Sequence, residues 1–73
     1  MLRDQFGKRL KQLRKEQKLS KEKFAEAVGV SAFTVYRWEH AQDAPEFDRL
    51  ELIAQALNVE PWELLVPPRQ DEP

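Results

Sequence analysis

The chain has 73 residues, 41% hydrophobic and 34% charged, with a formal net charge of −1; a domain of this size buries only about 60% of its unfolded surface, which leaves no room for a separate catalytic cavity. With no cysteine and one histidine, His40, disulfides and thiolate metal sites are excluded, and no metal or cofactor is expected. The opening MLRDQFGKRL lacks the apolar run of a signal peptide, and no stretch approaches the ~20 apolar residues of a membrane span, so a soluble, cytoplasmic protein with no membrane contact is expected.

The first helix is predicted from Asp4 to Gln17, with Asp4 near its positive end and Lys15 and Lys18 near its negative one. Phe6, Leu10 and Leu13 form its buried stripe, and Lys8, Lys11 and Lys15 lie on a face rotated into water. Gly7 costs this helix up to ~1 kcal/mol relative to alanine, which points to a close contact. Leu19 and Ser20 read as a stop and restart: Ser20 is a favoured N-cap, and Leu19 can pack on Phe24 as a hydrophobic staple. The second helix is predicted from Lys21 to Val28. The same grammar repeats at Val30 and Ser31, with Val35 placed to receive Val30, so a third helix is predicted from Ser31 to His40.

Residues 21–40 therefore read as a helix-turn-helix. Ala25 is small where a large side chain would hold the next helix away, and Gly29 ends its helix where a positive φ is often needed. Val28, Val30, Val35 and Trp38 can share one interior, while Phe33, Tyr36, Arg37 and His40, spaced i, i+3, i+4, i+7, form a separate stripe. After a loop, Ala41 to Pro45, a fourth helix is predicted from Glu46 to Leu57, with Phe47, Leu50, Ile53, Ala54 and Leu57 on its buried side and Asn58 as a left-handed C-cap. A short fifth helix is predicted from Pro61 to Leu65, with Leu64 and Leu65 closing the base of the core. Residues 67–73 carry no apolar anchors and are expected to be a disordered tail behind a domain of residues 1–66. With no repeat or strand pattern, the fold class is all-α.

The charges are segregated. Residues 1–23 hold nine Lys or Arg against three acids, a net of +6, and residues 24–73 hold three Arg against ten acids, a net of −7. One reading is solvated helix faces; the other is a basic approach surface for phosphates, with an acidic remainder that repels non-specific nucleic acid.

FGKRLKQLRKEQKLS, the Ala25, Gly29, Val30 and Ser31 core, Pro45, RLELIAQALNV and the final WELL together resemble the helix-turn-helix family of phage repressors, Cro proteins and Xre-type bacterial regulators, over about residues 5–66. The resemblance implies a five-helix, lambda-repressor-like domain that binds double-stranded operator DNA as a homodimer, with the third helix in the major groove. It places Ala32, Phe33, Tyr36 and Arg37 at base-reading positions and Lys21 and Thr34 at phosphates, with Lys23, Ser31, His40 and Arg14 as further phosphate candidates. It also implies an ion pair between Arg14 and Glu39.

The departures from the family fall on the reading face. Lys21 stands where glutamine is usual, and Phe33 where a polar base-reader is usual. Arg37 can bind guanine O6 and N7, and Phe33 or Ala32 can meet a thymine methyl; Phe33 is alternatively a partner contact or a lid on the core. The loop that usually carries glycine and basic residues holds Asp43, followed by Glu46 and Asp48. Trp62, beside Val66, is a candidate dimer contact or packs back on its own domain. A second functional reading keeps the fold but makes Phe33, Tyr36 and Trp62 anchors for another protein, as in an antitoxin or a regulator's partner. An enzyme is not expected, and no small-molecule ligand is indicated.

Overall fold

The computed structural model describes residues 1–69, which form four α-helices and one 3-10 helix, with no strand among them: α1 (Leu2–Glu16), α2 (Lys21–Val28), α3 (Ala32–Glu39), α4 (Arg49–Leu57) and the 3-10 segment Pro61–Leu65. Their apolar stripes meet in one core, centred on Leu10, Phe24, Val35, Ile53 and Leu57, all without exposed surface. Two internal helix starts, those of α2 and α3, are capped by serine. Ser20 Oγ accepts from Lys23 N at 3.0 Å, and Ser31 Oγ accepts from Thr34 N at 3.1 Å.

All four α-helices end in the same way, on a residue with positive φ followed by an N–H that reaches back five residues. The residues are Lys18, Gly29, Ala41 and Asn58, and the bonds are Leu19 N to Arg14 O, Val30 N to Ala25 O, Gln42 N to Arg37 O and Val59 N to Ala54 O, at 2.9–3.2 Å. This is the Schellman turn, which satisfies carbonyls that a helix end would otherwise strand. The residue after the turn packs against the core at Leu19, Val30 and Val59, whereas Gln42, at the end of α3, is exposed. Leu19 and Val30 do double work: each closes one helix and stands just ahead of the serine that caps the next.

Several boundaries differ from the sequence expectation. Helix α4 begins at Arg49 and not Glu46, because residues 46–48 form a tighter turn with Arg49 N to Glu46 O and Leu50 N to Phe47 O bonds. That turn advances ~120° per residue rather than 100°, so Phe47 leaves the buried stripe and is 84% exposed. The fifth helix is a 3-10 segment, for five residues have room for few i→i+4 bonds, and its bonds here are Glu63 N to Glu60 O and Val66 N to Glu63 O. Leu64 closes the core, but Leu65 is 54% exposed. The expected tail begins at residue 67; its residues 70–73 lie outside the described residues. Residues 67–69 reach α1, where the Gln12 amide exchanges two 3.0 Å bonds with the Arg69 backbone and Glu16 pairs with the Arg69 guanidinium.

Gly7 sets the approach of α1 to α3. A Cβ there would lie 2.6 Å from the Trp38 carbonyl oxygen and 2.8 Å from that of Glu39, so α1 rests directly on the last turn of the third helix. Gly7→Ala would raise helix propensity by ~1 kcal/mol but force two backbones apart. A net loss of about 1–3 kcal/mol is expected in urea unfolding; an unchanged or higher midpoint would show that α1 can shift freely.

Candidate nucleic-acid interface

Helix α3 is buried on one side by Val35, Trp38 and Glu39, so its register against the core is fixed and the side chains between them must face outward. Phe33 is 67% exposed, which removes the lid over the core as its role, and its ring stacks on Tyr36 (centroids 6.3 Å apart, planes 8°). Tyr36 in turn stacks on His40 at 4.0 Å, and His40 Nδ1 lies 2.9 Å from the Tyr36 carbonyl. The i, i+3, i+7 residues of the predicted stripe thus form one aromatic column. Arg37 stands half-exposed beside it, and Ala32 is half-buried against the core.

At the start of α3, the Ser31 and Thr34 hydroxyls are 3.1 Å apart, so the Ser31 cap and both hydroxyls gather where the helix presents free N–H groups. Lys21 and Lys23 occupy the first turn of α2, the first half-buried and the second exposed. Cations at a helix N-terminus oppose the dipole and cost about 0.3–1 kcal/mol each. Such a placement is unfavourable for α2 alone and becomes favourable when an anion approaches.

Two cations of the basic first third are not on any surface. Arg14 donates from Nε to Glu39 Oε2 at 2.6 Å, from Nη2 to Glu39 Oε1 at 3.2 Å and from Nη1 to the Leu19 carbonyl at 2.7 Å, with both side chains buried. Arg14 therefore cannot reach a phosphate, and its expected place among the phosphate contacts is corrected; it ties α1 to α3 and to the entry of α2. Arg9, also buried, donates from Nε to the Glu63 carbonyl at 3.0 Å and holds the 3-10 segment. Of nine cations in residues 1–23, seven remain for a basic surface.

The acidic loop after α3 bends back towards the exposed face of that helix. Arg37 Nη2 lies 3.7 Å from Asp43 Oδ2, and Asp43 Oδ1 accepts from Ala44 N at 2.9 Å. The loop turns on Ala41 at φ 61°, a left-handed conformation that costs a non-glycine residue about 1–2 kcal/mol, while an exposed ion pair returns only about 0–1 kcal/mol.

A separate apolar face is built from the turn before α4 and the 3-10 segment. Trp62 is 66% exposed and does not fold back on the core. Together with Phe47, Leu50 and Leu65 it borders an open hollow of about 560 Å³. A second hollow of about 330 Å³, lined by Leu2, Phe6 and Pro45, shares Leu50 and Leu65 with the first. Val66 is half-buried. Among the described residues no cluster could hold a metal ion, and no helix is long and apolar enough to cross a membrane.

The helix-turn-helix family model matches residues 10–64, from the middle of α1 to the 3-10 segment. The chain belongs to the helix-turn-helix family. No curated protein matches it closely enough to report. Among solved structures, the restriction-modification controller protein C.AhdI of Aeromonas hydrophila is 34% identical over 84% of this chain and 88% of its own, with a TM-score of 0.79. The P22 c2 repressor, solved in complex with a synthetic operator, is 30% identical over 84% and 92%, with a TM-score of 0.78. A hypothetical transcription factor from Neisseria, NHTF, is 26% identical over 93% and 78%, with a TM-score of 0.85.

Within this helix-turn-helix domain, pattern reading missed Phe47, Ala41 and Asp43, besides the burial of Arg9 and the left-handed Lys18. Phe47 was hidden because Pro45 signals a helix start without stating where the α-helical bonds begin. Ala41 carries no turn signal, and Asp43 read only as a charge of the wrong sign. For the buried pair, Arg14→Ala leaves Glu39 uncompensated in the interior, and a loss of about 3–5 kcal/mol is expected in chemical denaturation. The double variant Arg14→Met with Glu39→Leu should be less destabilised than Arg14→Ala; equal destabilisation would mean that packing, not charge pairing, holds the joint.

Proposed function

We propose that this protein is a sequence-specific, DNA-binding transcriptional regulator of the repressor type, acting in the cytoplasm through the domain of residues 1–66. The observation that carries the reading is the outer face of α3, a helix clamped by its other side and capped by Ser31, with Arg37 and the Phe33 column presented to solvent. Family membership and the operator-bound P22 c2 repressor support placing that face in the major groove. Arg37 reads guanine, Phe33 packs on a thymine methyl with Tyr36 behind it, and Lys21, Lys23, Ser31, Thr34 and His40 meet phosphates. With Ala32 partly turned into the core, the main apolar reader is Phe33. The activity proposed is binding, not catalysis.

Selection of bound sequences from random duplexes tests this directly. Enrichment of an inverted repeat with half-sites about 10 bp apart and a guanine whose preference disappears in Arg37→Ala is expected. No retention of any duplex at low salt, where non-specific binding should still show, would instead favour the protein-interaction reading, for which the exposed Phe33 and Trp62 are the anchors.

We further propose that the protein dimerises through the apolar face of Phe47, Trp62 and Leu65, with Val66 at its border. The support is the continuous exposure of three large side chains beside open hollows, more than a monomer's scattered apolar surface requires. Buried aromatic anchors carry roughly 2 kcal/mol or more at an interface. Trp62→Ala should therefore weaken self-association by roughly tenfold or more in sedimentation velocity, leaving the helical content intact; a wild-type monomer at high concentration would remove the dimer.

A further inference from the structure

The base-reading arginine has a partner that family position does not assign. Arg37 Nη2 faces Asp43 Oδ2 at 3.7 Å, and both side chains are about half exposed, so the pair sits on the face assigned to DNA and not beneath it. The carboxylate is held there rather than swinging freely. Its other oxygen accepts from Ala44 N at 2.9 Å, and the loop is drawn back onto α3 by Gln42 N to Arg37 O at 2.9 Å and Ala41 N to Trp38 O at 3.3 Å. The turn that makes this possible is a left-handed alanine, and unlike the ends of α1, α2 and α4 it buries no apolar residue after it. The loop's conformation is therefore held by backbone bonds and by Asp43, without the burial that anchors the other three ends.

We infer that Asp43 is a specificity-determining residue, which presents Arg37 to a guanine edge and weakens the arginine's attraction to phosphate. The inference rests on the DNA-reading role of α3. Its physics is a difference between two ligands. The guanidinium carries five donors in a rigid plane; with Nη2 turned to the carboxylate, the remaining donors can still reach O6 and N7. A phosphate is a full anion and is repelled by Asp43, whereas the guanine edge is a pair of neutral acceptors and loses far less. Because non-specific binding is almost entirely phosphate contact, the carboxylate lowers it more than it lowers binding to the correct site, and specificity is the ratio of the two.

The test uses the full chain and the Asp43→Asn variant, which keeps an acceptor for Ala44 N and removes the charge. Fluorescence anisotropy compares the selected duplex, the same duplex with the Arg37-dependent guanine replaced, and a random duplex, over a series of salt concentrations. Asp43→Asn should bind the random duplex roughly three- to tenfold more tightly and steepen the slope of log affinity against log salt by about one, as one more phosphate contact does. Discrimination at the guanine should fall by roughly threefold or more. In an Arg37→Ala background the same substitution should leave that discrimination unchanged. A wild type that prefers the guanine through Arg37, with slope and preference both untouched by Asp43→Asn, overturns the role of Asp43 alone. A wild type that binds no duplex at low salt overturns the DNA-binding reading, and this inference with it.

Discussion

A single guanidinium joins three segments of the chain. Arg14 leaves α1 near its end, engages both oxygens of Glu39 in the last turn of α3 and caps the Leu19 carbonyl just before α2 begins. Because the pair is buried, its desolvation is offset only if the geometry is kept, so small displacements of α3 relative to α1 are strongly resisted. Gly7 acts on the same joint from the steric side, allowing α1 to touch the carbonyls of Trp38 and Glu39. Charge and close packing thus converge on the C-terminal turn of α3, the helix whose outer face is free.

The remaining rigidity comes from how the helices stop. Three of the four Schellman turns are followed by an apolar residue packed on the core, and two of those residues also precede the serine cap of the next helix. Each junction is therefore restrained by hydrogen bonds and by burial together, which leaves little freedom in the angle between α1, α2 and α3. The end of α3 has the hydrogen bonds without the burial. Its loop is held locally, by backbone bonds and by Asp43, and has less support from the core than the other helix ends.

Recognition in such a domain depends on two kinds of surface with different physics. In the function proposed above, phosphate contacts by Lys21, Lys23 and the α3 hydroxyls carry affinity and fade as salt rises. The proposed base contacts by Arg37 and Phe33 carry choice. With Arg9 and Arg14 turned inward, the basic third of the chain exposes fewer cations than its charge implies, which in the proposed function moves the balance towards the bases. The apolar face around Trp62 serves a third purpose in the proposed dimer, where a modest affinity per half-site is multiplied by joining two.

Much of the fold was legible in order of sequence because its signals are local. The serine caps, the apolar spacing of Phe6, Leu10 and Leu13, Gly29 and Asn58 act on their own helices, and residues 21–40 read as a helix-turn-helix from such signals alone. What escaped depends on groups distant in sequence or on competition between turn types. The left-handed Lys18 and Ala41 have no residue-level signature, since backbone bonds and, at Lys18, the packing of Leu19 impose a conformation those residues would not choose. Phe47 is exposed because a 3-10 turn won over the α-helical start, and Arg9 is buried because a carbonyl 54 positions away accepts from it. Local signals along the chain fix which segments are helices and which stripe of α3 is free. Which cations turn inward, and that Asp43 stands against Arg37, follow from burial and long-range pairing, which are properties of the packed chain and not of any window along it.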